Sequence, residues 1–195
     1  MRIFLLSPAN CSGKRAGYLM RKEASFDLAL RLRSAEGAAI GEVFSFMSGL
    51  YFRGKLAYSA VFADPPKGCC GVHVIVPGSG LVPPDQRIGL ADLRRIASVE
   101  VDVENRGYVR PLRSHASRLA EQLPAEVEVV LLGSIATPRY LEPLGTIFGA
   151  RLSYPAEFVG KGDMSRGSIM LKYAAEKRQL AYVRADEGVG AAAVA

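Results

Sequence analysis

Two apolar runs, Val72-His73-Val74-Ile75-Val76 and Val127-Glu128-Val129-Val130-Leu131-Leu132, most narrowly limit what this chain can fold into. They are rich in valine and close to continuous, whereas a strand with one wet face alternates apolar and polar side chains. Strands of this kind are buried on both faces. Two further runs, Arg2–Leu6 and residues 150–154, also read as strands. Each run ends in turn formers: Ser7-Pro8-Ala9-Asn10, Pro77-Gly78-Ser79-Gly80, Gly133-Ser134 and Tyr154-Pro155. Helical patterns lie between them, over 25–33, 43–62, 108–123 and 164–177, the second divided into two pieces by Gly49 and Gly54. Strands alternating with helices predict an α/β domain around a mainly parallel sheet.

At 195 residues the chain suits one domain with a substantial core, expected over 1–187, followed by a small apolar tail at 188–195 expected to be disordered. No apolar run reaches the roughly 20 residues of a membrane span. The opening Met1-Arg2-Ile3-Phe4-Leu5-Leu6 is short for a secretory signal. Cys11 stands alone and Cys69-Cys70 are neighbours, so the three cysteines form no secretory disulfide framework. Together these features point to a cytoplasmic protein without a membrane partner. The two histidines, His73 and His115, lack paired-ligand spacing, and no metal site is expected. His73, within a strand, reads as a satisfied core or edge residue. The net charge is +6. That balance suits nucleic acid or phosphorylated metabolites as partners, and equally a solvated basic surface.

In parallel sheets, ligands gather beyond the carboxyl ends of the strands, which makes the loops after the strands comparable. The richest is Gly160-Lys161-Gly162-Asp163-Met164-Ser165-Arg166-Gly167, at the start of a predicted helix. Glycines at 160 and 162 permit close backbone approach to an anion. Lys161 and Arg166 supply charge, and Asp163 reads a polar edge or caps the helix. The loop after the first strand holds Ser7, Asn10, Cys11, Ser12, Gly13 and Lys14. Ser12 and Lys14 suit an anion and Asn10 a polar edge; the plainer reading is an ordinary turn. It is not a P-loop, because the first glycine and the Ser/Thr after the lysine are missing.

Gly78-x-Gly80 resembles part of a dinucleotide fingerprint, but Pro83 stands where a glycine is wanted. That loop reads as a rigid wall, and no cofactor is expected. After the third strand, Thr137 and Pro138 mark a helix start, with Arg139 and Tyr140 beside a ligand or, alternatively, in solvent and core. Tyr51-Phe52-Arg53-Gly54-Lys55 reads either as a stacking surface for nucleic acid or as a core face with solvated cations. Cys11 is a credible nucleophile only beside a base.

The order of these motifs resembles a group of uncharacterised bacterial domains distantly similar to the uracil-DNA-glycosylase-like domain of archaeosine tRNA-modification proteins. The matching residues are Ser7, Cys11, Lys14, Leu50, Tyr51, Gly80, Leu81, Pro84, Ile88, Gly133, Tyr140, Gly160 and Gly162. The resemblance implies a three-layer, Rossmann-like α/β/α sandwich with a pocket for nucleic acid or a nucleobase. It further implies a first-loop Asp or Asn that orients water, a role Asn10 would fill. The late-loop histidine of that fold class has no counterpart after His115, so Lys161 or Arg166 would stabilise a leaving base.

The leading expectation is therefore a nucleotide- or nucleic-acid-binding protein. Its sharper form is a glycosylase or transglycosylase with Asn10 and Asp163 as catalytic groups. Ser7, Ser12, Lys14, Gly80, Gly133, Tyr140, Gly160, Lys161, Gly162 and Arg166 would form the ligand site. One alternative is a small-molecule enzyme for a phosphate or carboxylate substrate, with Cys11 or Ser12 as nucleophile. The other is a non-catalytic interaction domain.

Overall fold

The computed structural model describes residues 1–188. The chain runs β1 (Arg2–Leu6), α1 (Lys14–Met20), α2 (Asp27–Arg33), β2 (Ala38–Ala39), α3 (Ile40–Ser48), α4 (Leu50–Phe62) and β3 (Val72–Val76). It continues through β4 (Gly80–Val82), β5 (Arg87–Ile88), α5 (Leu90–Ala97), α6 (Arg106–Gln122) and β6 (Glu128–Leu132). The last elements are α7 (Pro138–Phe148), β7 (Leu152–Pro155), α8 (Asp163–Ala175), β8 (Tyr182–Arg184) and α9 (Ala185–Gly188). Gly188 closes α9, and the remainder of the tail expected to be disordered lies outside the described residues.

Six strands form one sheet in the order β4-β3-β1-β6-β7-β8. The four inner strands are parallel, and β4 and β8 close the edges antiparallel. The expected mixed α/β class and mainly parallel sheet are both present. β1 is central, with Phe4 opposite Val72 on one side and Val130 on the other.

Alternation along the strands divides the core in two. Phe4, Leu6, Val74, Val130 and Leu132 pack with α1 to α4 and α8. Ile3, Leu5, Ile75, Val129 and Leu131 pack with α6 and α7. Full burial of each such side chain contributes about 1.5–3 kcal/mol, so a strand wet on one face would forfeit half of that. Continuous apolar runs are the sequence consequence.

Several boundaries differ from the sequence expectations. Residues 150 and 151 belong to a 3-10 turn, and β7 begins at Leu152. Gly49, with φ 57°, does separate α3 from α4. Gly54 does not divide the helix, because it sits inside α4 against α8: a Cβ there would lie 2.7 Å from the Gly167 carbonyl oxygen. Its missing side chain is a packing requirement, and tertiary contact overrides its low helix propensity. The Gly78-Ser79-Gly80 loop turns β3 into β4, with φ of 78° and 79° at its two glycines.

Candidate functional site

The connection leaving β1 runs to the α1–α4 face of the sheet, whereas α7, leaving β6, packs on the opposite face. β1 and β6 are parallel neighbours. Their following loops therefore part, and the gap beyond their carboxyl ends is where open α/β sheets bind ligands. A crevice of about 710 Å³ occupies that place. Its walls include Ser7, Asn10 and Ser12 after β1, Ser134, Arg139 and Tyr140 after β6, and Asp163 at the start of α8. Pro77 after β3, Tyr51 of α4 and the segment from Ile96 to Val101 belong to them as well.

The first loop is a tight turn. Asn10 Oδ1 accepts from the Ser12 N–H at 3.0 Å and from Ser12 Oγ at 2.8 Å, the geometry of an Asx turn. That use occupies the Asn10 carbonyl. Cys11 is buried, its thiol 3.4 Å from the Ala9 carbonyl oxygen. Burial pushes the thiol pKa up to about 12, which removes the thiolate a cysteine nucleophile needs at neutral pH.

Beneath this loop lies Lys55, with no exposed surface. Its Nζ donates to the Ser7 carbonyl oxygen at 3.0 Å and stands 2.7 Å from Ser7 Oγ. It also lies 3.9 Å from the centre of the Tyr51 ring. Burial draws the Lys55 pKa down to about 7; Asp163 pulls it up and Arg166 lowers it further. Tyr51 is 6% exposed, and among the described residues its hydroxyl has no partner at full hydrogen-bond geometry. Burial raises its pKa well above the usual tyrosine value, against the opposing pull of Arg166. Tyr140, also buried, is pushed up to about 12 by desolvation, with Arg139 and the Ser7 hydroxyl acting in the other direction.

No family model fits this chain, and neither the curated proteins nor the solved structures contain a match.

The glycine-rich loop before α8 is organised around one carbonyl. Phe158 O accepts from Arg166 Nε at 3.2 Å, Arg166 Nη2 at 3.1 Å and the Lys161 N–H at 3.3 Å. Arg166 Nη1 reaches Asp163 Oδ1 at 3.5 Å. Arg166 is thus a buried clamp on its own loop, while Asp163 remains exposed at the crevice. Gly160 adopts φ 68°, the left-handed conformation that glycine reaches without strain. Gly162 is the N-cap residue of α8, so Asp163 is the first helical residue and not the cap.

The structure brings Ser7, Asn10, Ser12, Tyr140 and Asp163 together at the crevice. Gly133 adjoins them: a Cβ there would meet Ser7 Cβ at 3.0 Å and Oγ at 3.3 Å. Lys14 is exposed at the first turn of α1. Gly160, Lys161 and Gly162 are exposed before α8 and form no part of the crevice wall. Gly80 lies elsewhere, where a Cβ would collide with the Pro111 carbonyl oxygen and the His115 ring.

Lys55 is the residue the sequence reading passed over as a surface or solvated cation. Its spacing does carry a signal, because Tyr51 and Ser59, four residues to either side, share its buried helix face. Among the described residues, no group of three or more His, Cys, Asp or Glu side chains is gathered as a metal site requires. No helix among them is long and apolar enough to cross a membrane.

Proposed function

We propose that the crevice receives a nucleobase or nucleotide, free or within a nucleic acid, and that the chain is a three-layer α/β/α sandwich of the uracil-DNA-glycosylase-like kind. The observation that carries the ligand reading is the Tyr51 hydroxyl. It is buried in the wall of a polar crevice at the divergence of the β1 and β6 loops, and among the described residues no group, the neighbouring Arg166 included, meets it with full hydrogen-bond geometry. An unsatisfied buried hydroxyl costs about 1–3 kcal/mol, and a ligand edge entering the crevice recovers it. The volume lies within the roughly 300–1,000 Å³ typical of small-ligand sites.

Tyr140 offers a ring and Arg139 a charge, while Asn10 and Asp163 line the same walls. In the sharper form of this reading, Asp163 exchanges a proton during glycosidic cleavage, and Asn10, whose Oδ1 is held by the turn, positions water through its amide N–H. Exposed Lys14, Arg15, Arg139 and Lys161, with the net charge of +6, supply a basic surroundings for phosphate. Three free cysteines suit work in the cytoplasm.

The test is binding of UMP, AMP, tRNA and single- and double-stranded DNA across a salt series, with Tyr51→Phe and Arg139→Ala alongside. The expected result is salt-sensitive binding that Tyr51→Phe weakens about tenfold, the loss of one hydrogen bond. Absence of binding to all five at low salt overturns the reading. Release of free base from a bound nucleic acid, lost in Asn10→Ala or Asp163→Ala, separates the glycosidic form from simple binding.

A further inference from the structure

Ser7 and Lys55 form a pair whose proton chemistry nucleotide binding does not call on. Ser7 is 3% exposed and belongs to the crevice wall. Ser7 Oγ and Lys55 Nζ are 2.7 Å apart, within the reach of a nucleophile and its base. Both hydrogen-bond partners of Nζ are neutral oxygens of Ser7, and among the described residues no carboxylate forms an ion pair with it. A lysine held only to strengthen the fold is more stable with an acidic partner. One buried without such a partner is in the position from which an amine gives up its proton and accepts another.

We propose that Ser7 is the nucleophile, and Lys55 its general base, of an acyl-transfer reaction on an ester or amide entering the crevice. Neutral Nζ takes the proton from Ser7 Oγ as Oγ forms a bond to the substrate carbonyl carbon. The bond from that carbon to the leaving oxygen or nitrogen then breaks, and the ammonium of Lys55 returns the proton to it. Water completes the cycle. It gives a proton to Nζ, attacks the acyl-Ser7 carbonyl and releases the acid, while Nζ reprotonates Ser7 Oγ.

The surroundings permit neutral Lys55 at ordinary pH. Three elements face it: α4 with the Tyr51 and Phe52 rings, α8 with Asp163 and Arg166, and the β1 loop with Ser7 itself. Arg166 and burial favour the free amine and Asp163 opposes them, leaving the lysine to titrate near 7. Tyr140, from α7, adjoins the Ser7 hydroxyl and stays protonated. Ser12, another hydroxyl at the crevice, donates to Asn10 Oδ1 and has no basic side chain in hydrogen-bond reach among the described residues.

Phenylmethylsulfonyl fluoride tests the pair directly. Attack by Ser7 Oγ forms an S–O bond, expels fluoride and passes the hydroxyl proton to Nζ. The full chain is incubated with the reagent from pH 5.5 to 9, and adducts are counted by intact mass and located by peptide mapping.

One adduct is expected, on Ser7. Its rate should rise through pH about 7 and level off above pH 8, as the base loses its proton. Ser7→Ala removes the adduct. Lys55→Arg, which retains a charge and offers no base, lowers the rate about 100-fold or more.

A folded protein that takes no adduct, takes it at another residue, or labels at a rate without an inflection between pH 6 and 8.5 overturns the proposal. The pH profile decides the matter even where the lysine variant fails to fold. The inference goes beyond nucleotide binding and does not depend on it. The reagent carries neither base nor phosphate, so failed labelling leaves nucleotide binding standing, and failed nucleotide binding leaves the labelling result intact.

Discussion

Gly54 of α4 and Gly167 of α8 meet backbone to backbone. A Cβ on Gly54 would stand 2.7 Å from the Gly167 carbonyl oxygen, and one on Gly167 would stand 2.9 Å from the Leu50 carbonyl group and the Tyr51 Cα. The atoms in the way are main chain, so neither can swing aside as a side-chain tip would. This crossing sets the depth of Lys55 and Arg166, each one residue from its glycine, the first beneath Ser7 and the second on the Phe158 carbonyl.

Gly167→Ala is therefore expected to destabilise the protein. Overpacking of this kind costs about 1–3 kcal/mol beyond the roughly 1 kcal/mol that alanine recovers as a better helix former. Gly145→Ala, inside α7 with open space around it, should be neutral or stabilising. Thermal melts of the two variants would show opposite shifts, on the order of 2–4 °C per kcal/mol. Equal behaviour would mean that α4 and α8 do not approach so closely.

Arg166→Lys should loosen the loop before α8. A lysine cannot reproduce the two guanidinium bonds to Phe158 O, and the loss of charged hydrogen bonds costs about 1.5–3 kcal/mol. Faster hydrogen exchange at the Lys161 amide, which shares that carbonyl, is the specific readout. Unchanged exchange there would show that the clamp does not order the loop.

Lys55 gives stability a pH dependence of known sign. Its pKa falls from about 10.5 in the unfolded chain to about 7 in the folded one, so between those values the unfolded chain holds the additional proton. Wild-type stability then rises with pH across that window relative to Lys55→Met, by at most about 1.4 kcal/mol per pH unit. Below pH about 7 both states are protonated and the gap between the two proteins is constant at its least favourable to wild type. Urea unfolding of both proteins at pH 6, 7.5 and 9 checks this. A gap that does not change with pH would leave Lys55 charged in the fold.

The sheet was legible in the sequence where burial was complete. β1 and β3 coincide with their apolar runs, and β6 begins one residue inside its run. The edge strands β4 and β8 are three residues each, too short and too partly exposed to impose a pattern. Helix α5 was missed because Pro83-Pro84 and Gly89 mark the region as loop, whereas the helix starts only at Leu90, where Asp92 Oδ2 accepts from the Gly89 N–H. At the crevice, residues that follow strands directly, such as Ser7, Asn10 and Tyr140, were found by the rule that ligands sit at strand ends. Lys55 and Tyr51 were not found as site residues. Tyr51 reaches the crevice, and Lys55 reaches Ser7 in its wall, from a helix whose burial depends on α8, more than 100 positions later in the sequence.

The cysteines provide a simple probe of the native state. Cys70 is exposed and Cys69 partly so, while Cys11 is buried with a thiol pushed up to about 12. A thiol reagent at pH 8 should modify Cys70 first and reach Cys11 only after the protein unfolds. Peptide mapping of the labelled protein identifies the order, and early labelling of Cys11 would show that the first loop opens readily.

Each margin of the six-stranded sheet ends in an antiparallel strand of three residues, β4 on one side and β8 on the other. A fourth residue of free ladder is not on offer at either margin. An intruding segment would gain only one or two main-chain bonds there, less than the entropy it loses on docking. Borders this short offer an intruding strand little ladder to pair with, and Arg184 adds a charge at one of them.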